Sequence, residues 1–128
     1  ESYRTKPLSN VGAVVDGVDL NRPLPDELVS KIVQDTFEHS LLLFKGQGVV
    51  SGDRQCEISR WFGEIESNPF AKHPRSPNTD VFRVSNVREE GCTGVGRTGW
   101  HIDGSFMDCP YQVSCYHMHA VPERGATT

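Results

Sequence analysis

The sequence predicts an α+β fold, mostly β. Segments with helical apolar spacing fall early, extended segments with alternation or short apolar runs fall late, and no strand–helix–strand unit repeats. At 128 residues, with 36% apolar and 23% charged residues, 12 Gly and 8 Pro, the chain has the composition and length of one ordinary globular domain. Folding would bury roughly two-thirds of the unfolded chain's surface, enough for one core.

Each element follows from local chemistry. Val11–Val15 reads as a short strand, stopped by the turn-like Asp16-Gly17. Asn21–Pro25 is an extended connection whose two prolines cannot donate to a ladder. Asp26 to His39 is the clearest helix: Leu28, Val29, Ile32, Val33 and Phe37 form an apolar stripe, and Asp26 and Glu27 suit the positive N-terminal end. Leu41–Phe44, short and bounded by Lys45-Gly46, reads as a buried strand. Ser51 can cap a second helix, Gly52–Phe62, with Ile58, Trp61 and Phe62 inward and Gly63 as its stop. Asp80–Ser85 reads as a strand and Val87–Gly99 as a Gly-rich loop. Trp100–Asp103 and Gln112–Ala120 read as two further strands, the second with alternating character. The chain opens at Glu1 rather than Met and stops at Thr128 just after a turn, so residues beyond both ends are expected.

Charge and composition exclude several classes. Seventeen acidic against thirteen basic residues give a net charge of -4 with no basic cluster, so neither a general nucleic-acid binder nor an anionic-membrane binder is expected. The longest apolar runs are far too short to span a bilayer, and no signal-peptide pattern opens the chain. Cys56, Cys92, Cys109 and Cys115 form no CxxC pair and no zinc-finger spacing. They read as reduced thiols in a cytoplasmic protein, with Cys56 and Cys115 in the core.

The sharpest chemical feature is His101-Ile102-Asp103. On a strand, residues i and i+2 face the same way, about 6.6–6.8 Å apart at Cα, so an imidazole nitrogen and a carboxylate oxygen can converge on one cation. With one more His they would form the facial triad of non-heme Fe(II) oxygenases. The same spacing equally suits a simple His–Asp pair or a core-facing histidine. His117-Met118-His119 repeats the geometry, with Glu123 four residues on, as in the H-x-H-x3-E core of cupins; the cupin glycine, however, is replaced by Tyr111. Two solvated or hydrogen-bonded histidines are the alternative. Gly94–Gly99 fits GxGxxG but runs into an expected strand, not a helix, so no dinucleotide site is assigned. His39 is read as a helix C-terminal cation and His73 as part of an exposed turn. Arg83, Arg88 and Arg97 precede the HxD motif and could meet an anionic substrate through bidentate bonds, or lie on an ordinary surface loop. No Ser/His/Asp or Cys/His arrangement has local support.

Five segments, in order, resemble the taurine dioxygenase (TauD/TfdA-like) family of Fe(II)- and 2-oxoglutarate-dependent oxygenases. They are Gly12–Leu20 (GAVVDGVDL), Glu38–Gln47 (EHSLLLFKGQ), Trp61–Ile65 (WFGEI), Trp100–Phe106 (WHIDGSF) and Val121–Thr128 (VPERGATT). The resemblance implies a double-stranded β-helix (jelly-roll) core with flanking helices, incomplete at the C-terminal end, with residues 1–128 forming the N-terminal part of a single TauD-like dioxygenase domain. It implies that His101 and Asp103 are iron ligands and that Thr128 hydrogen-bonds a 2-oxoglutarate carboxylate. Asp at 103, rather than Ala or Gly, resembles a hydroxylase and not the halogenase variant. Trp100 and Phe106 carry over as packing residues only.

The family's distal histidine and its 2-oxoglutarate-clamping arginine lie beyond this chain, and neither His117 nor His119 matches that histidine. The function so implied is hydroxylation of an unactivated C–H bond in a small organic substrate, with O2 consumed and succinate and CO2 released. An anionic substrate met by Arg97 is one expectation. A non-catalytic fragment that needs a partner chain, and a cupin-like metal protein using His117, His119 and Glu123, are the alternatives. Unpaired strands would favour association, as a homo-oligomer or with another chain.

Overall fold

A computed structural model describes residues 2–66, 72–95, 99–121 and 123–124. The chain divides into two compact units, Glu1–Ser51 and Gly52–Thr128.

In the first unit, strands β1 (Arg4–Pro7), β2 (Ala13–Asp16) and β3 (Leu42–Phe44) form one sheet in that order, and helix α1 (Asp26–His39) connects β2 to β3. β1 pairs antiparallel with β2, from Arg4 opposite Asp16 to Pro7 opposite Ala13. β2 pairs parallel with β3, from Ala13 opposite Leu42 to Val15 opposite Phe44. A parallel pair needs a crossover, and α1 supplies it. The β1–β2 loop closes on Gly12, whose carbonyl accepts from Leu8 N at 2.9 Å. Gly12 has φ 89°, and a Cβ there would stand 2.8 Å from the Leu41 carbonyl oxygen, so only glycine fits without strain.

Helix α1 begins behind Pro25, whose carbonyl accepts from Leu28 N and Val29 N at 2.9 and 3.0 Å. Its buried face is Leu28, Ile32 and Asp35, with Val29 and Val33 half-buried. Phe37, expected in the apolar stripe, is 53% exposed. It lies about 140° around the helix from Ile32, off the face that meets the sheet. Asp35 takes the inward place instead because two donors meet it there. Tyr3 Oη donates to Asp35 Oδ2 at 2.6 Å, Lys31 Nζ donates to the same oxygen at 2.6 Å, and Lys31 also lies over the Tyr3 ring. Burial works against the ionised carboxylate, yet the Lys31 and Tyr3 hydrogen bonds more than offset it, so Asp35 stays below the usual carboxylate range. Burial, and then the bond to Asp35, push the Tyr3 hydroxyl well above its ordinary value.

The expectation of a fully buried Leu41–Phe44 strand is corrected. Among the described residues β3 is an edge strand on which Leu42 and Phe44 are half-buried and Leu43 is exposed, as is Leu41 just before it. Just past it, Gln47 ties the connection from β2 to α1 in place: its Oε1 accepts from Leu20 N at 2.7 Å and its Nε2 donates to Val18 O at 3.0 Å. Val18 and Leu20 are thereby seated in a core shared with Ala13, Val15, Leu28 and Ile32.

The second unit opens with helix α2 (Gly52–Arg60), which ends two residues before the expected Phe62. Cys56 and Ile58 are buried on it. Cys115, expected in the core, is exposed, with Ser59 and Gln55 of α2 as the hydrogen-bonding neighbours of its thiol. Asp80–Ser85, Trp100–Asp103 and Gln112–Ala120 form no strand among the described residues; the one pairing is a bridge between Val84 and Cys92. The mostly β expectation is therefore not met here. Alternation fixes which side chains share a face, but a strand also needs a neighbouring ladder, and none lies beside these segments among the described residues.

The polar pins of the first unit give two expected outcomes. Tyr3→Phe and Asp35→Asn should each lower the unfolding free energy by about 1–3 kcal/mol. Because the folded Asp35 pKa is depressed, its contribution is present above the unfolded carboxylate value near 3.9 and fades as pH falls below it. Because the folded Tyr3 pKa is raised, its contribution is present below about 10 and fades as pH rises. Denaturant melts from pH 3 to 11 check both arms, and Asp35→Asn should flatten the acid one. Separately, Ser40 closes α1 with φ 65°, a left-handed geometry that favours glycine. Ser40→Gly should raise stability by about 0.5–1 kcal/mol, read from the same melts.

Candidate metal centre

The HxD motif lies on an extended stretch that runs into a turn, not on a strand. Ser105 N donates to Ile102 O at 3.2 Å and Met107 N donates to Gly104 O at 2.9 Å. Gly104 has φ 71°, and the Tyr111 ring packs so closely that a Cβ would stand 3.0 Å from it. The turn and Tyr111 therefore shape one wall of a shallow depression of about 180 Å³, lined by His101, Ile102, Asp103, Tyr111, Ser114 and Tyr116.

Within it the two motif side chains converge, with His101 Nε2 and Asp103 Oδ1 3.0 Å apart. The other ring nitrogen, Nδ1, meets the Gly99 carbonyl at 2.8 Å. A carbonyl can only accept, so Nδ1 carries the proton and Nε2 faces Asp103. The Gly99 carbonyl raises the His101 pKa; desolvation opposes it and Asp103 adds to it. When His101 holds its second proton, the pair is an ion pair; when it does not, a nitrogen and an oxygen lone pair point at the same space. The spacing fits a metal ion: two ligands at about 2.1 Å and about 90° apart are separated by about 3.0 Å. Imidazole with carboxylate suits first-row divalent ions such as iron.

Asp103 has one further partner that the sequence did not reveal. Tyr116 Oη donates to its Oδ2 at 3.0 Å, across thirteen residues. Burial and the bond to Asp103 raise the Tyr116 pKa, keeping the hydroxyl a donor. No local pattern could have exposed this contact, because it depends on where the chain after Pro110 returns.

The other expected residues fall differently. Thr128 and Arg97 lie outside the described residues. Arg83 pairs with Glu90 through Nη2 at 3.1 Å, and Arg75 takes the other Glu90 oxygen at 2.5 Å, so Arg83 pins a loop. His73 opens a turn, as expected, with its carbonyl accepting from Ser76 N at 2.9 Å, while its half-buried ring is engaged: Nε2 meets Arg88 O at 3.1 Å and Nδ1 accepts from Arg75 N at 3.2 Å. His39 sits in the last turn of α1. The His117 and His119 rings touch, with centroids 4.2 Å apart. Burial, His117 and Arg83 lower the His119 pKa. Among the described residues no three His, Cys, Asp or Glu side chains are close enough to hold a metal ion, so Glu123 does not complete a cupin-type set. No helix among them is long and apolar enough to cross a membrane.

Residues 4–128 match the family described as taurine catabolism dioxygenase TauD, TfdA family. The chain belongs to this family. Pentalenolactone F synthase of Streptomyces avermitilis is 30% identical over 105 residues, covering 78% of this chain and 34% of that protein. The (S)-phenoxypropionate/alpha-ketoglutarate-dioxygenase of Sphingobium herbicidovorans is 28% identical over 129 residues, covering 91% of this chain and 40% of that protein. A crystal structure of a taurine dioxygenase from Burkholderia xenovorans superposes with a TM-score of 0.60 at 28% identity, over 82% of this chain and 36% of that one. The chain thus spans between a third and two-fifths of these TauD/TfdA relatives.

The turn under the site is itself testable. Gly104→Ala places a side chain in left-handed backbone against the Tyr111 ring. It should cost about 1–3 kcal/mol, seen as a lower thermal midpoint, whereas Ser105→Ala in the same turn should change the midpoint little.

Proposed function

We propose that the chain is the N-terminal part of a single jelly-roll dioxygenase domain, and that His101 and Asp103 supply two of the ligands to its Fe(II). The reaction is hydroxylation of an unactivated C–H bond in a small organic substrate, with 2-oxoglutarate as cosubstrate. The observation that carries the reading is the 3.0 Å convergence of His101 Nε2 and Asp103 Oδ1, within a chain of the TauD/TfdA family. The cosubstrate assignment draws on the alpha-ketoglutarate named for the Sphingobium relative. Thr128 matches the family position for a 2-oxoglutarate-binding threonine, and Arg97 is the arginine assigned to an anionic substrate group.

The residues divide the work. The Gly99 carbonyl holds the His101 tautomer, so that Nε2 offers its lone pair. Asp103 contributes one negative charge toward balancing a divalent ion. Ile102 and the Tyr111 ring border the depression. Iron with 2-oxoglutarate, held by these residues, would supply the oxidising power that no side chain has for C–H hydroxylation.

An anaerobic titration with Fe(II) and 2-oxoglutarate, followed by the visible metal-to-ligand charge-transfer band, tests this without knowledge of the substrate. His101→Ala and Asp103→Ala should each abolish the band and raise the Fe(II) Kd more than about 100-fold. Iron held at wild-type affinity in both variants would overturn the assignment.

A further inference from the structure

Tyr116 makes the two oxygens of Asp103 unequal. A carboxylate has two acceptor oxygens and can meet a cation through either or both. Here Oδ2 accepts the Tyr116 hydroxyl at 3.0 Å, while Oδ1 faces His101 Nε2 at 3.0 Å. A carboxylate so divided cannot swing its second oxygen onto the ion facing His101 without losing the phenolic hydrogen bond. We propose that Tyr116 is a positioning residue that holds Asp103 as a single-oxygen ligand, leaving the neighbouring position on the ion open to another ligand. The proposal rests on the reading of His101 and Asp103 as metal ligands.

The hydroxyl is placed by its own segment. The carbonyl of the preceding residue, Cys115, accepts from Gln55 Nε2 of α2 at 3.2 Å, which ties the Tyr116 backbone to a helix. At the other end of the segment, Tyr111 packs its ring on the Gly104 turn that carries Asp103. Phenol and carboxylate thus approach from two stretches of chain that are each anchored. Tyr116 is 69% exposed overall, so its ring contributes little to a core and its hydroxyl contact is the feature to explain.

The test compares Tyr116→Phe with Tyr111→Phe, which alters a second tyrosine lining the same depression. Mn(II) is titrated by the loss of the free-ion electron paramagnetic resonance signal, and Fe(II) anaerobically in parallel. Infrared difference spectra of protein carrying 13C-labelled aspartate report the carboxylate stretches on metal addition. Tyr116→Phe should raise both metal Kd values roughly ten- to hundredfold. It should also narrow the splitting between the two carboxylate stretches, as expected when both oxygens share the ion. Tyr111→Phe should leave the Kd values within about twofold, and both variants should keep the parent thermal midpoint within a few degrees. Parent-like affinity and spectra in Tyr116→Phe, or equal losses in both tyrosine variants, would overturn the proposal. His101→Ala and Asp103→Ala separate the two levels. If they lose the metal while Tyr116→Phe behaves as the parent, the ligands stand and only the positioning role falls; if they keep it, the metal reading itself falls.

Discussion

The candidate centre depends on one hydrogen bond, from His101 Nδ1–H to the Gly99 carbonyl. It decides which imidazole nitrogen faces Asp103, and thereby whether the pair can offer a cation two lone pairs at once. The donor is two residues from its acceptor, so this contact is local to the motif. The turn that follows, with Gly104 in left-handed geometry, brings Asp103 round to the same side. The segment is thus organised by backbone conformation and local contacts, with Tyr111 against its turn and Tyr116 on Asp103 from further along the chain.

Both units rely on polar pins where apolar burial is thin. In the first, Asp35 is 6% exposed and accepts from Tyr3 and Lys31, so a charge occupies a place on α1 where a leucine would otherwise pack. Removing one partner leaves a buried charge short of its hydrogen bonds, which costs more than the bond contributed when made. In the second, Glu90 receives Arg75 and Arg83, and His73 joins the backbone of Arg88 to that of Arg75. These contacts hold loops to one another. They explain why arginines that look available in the sequence are engaged by a carboxylate in the fold.

How much was legible in the sequence follows from how local each interaction is. Helix α1 runs from Asp26 to His39, as its spacing and acidic first turn indicate, because both signals lie within the helix itself. Its buried face was less legible. The inward turn of Asp35 depends on Tyr3, thirty-two residues away. The late segments were read as strands from alternation and apolar runs, but strand formation is a property of two segments, and a single sequence shows only one of them. Trp100 and Phe106 mark the consequence: at 91% and 90% exposure neither fills a sheet interior among the described residues.

The same distinction applies inside the site. That His101 and Asp103 belong together is written in a three-residue motif, and family membership strengthens it because several other segments match in order. Which oxygen of Asp103 remains free is not written there. It is set by a tyrosine thirteen residues on, whose position follows from a return of the chain that the motif does not encode. A motif names the ligands, but the surrounding fold sets how many positions around the ion they leave open. In the dioxygenase proposed above, where a chelating cosubstrate and O2 would share one ion, that number would matter as much as ligand identity, and the phenolic hydrogen bond is the feature of this chain that bears on it.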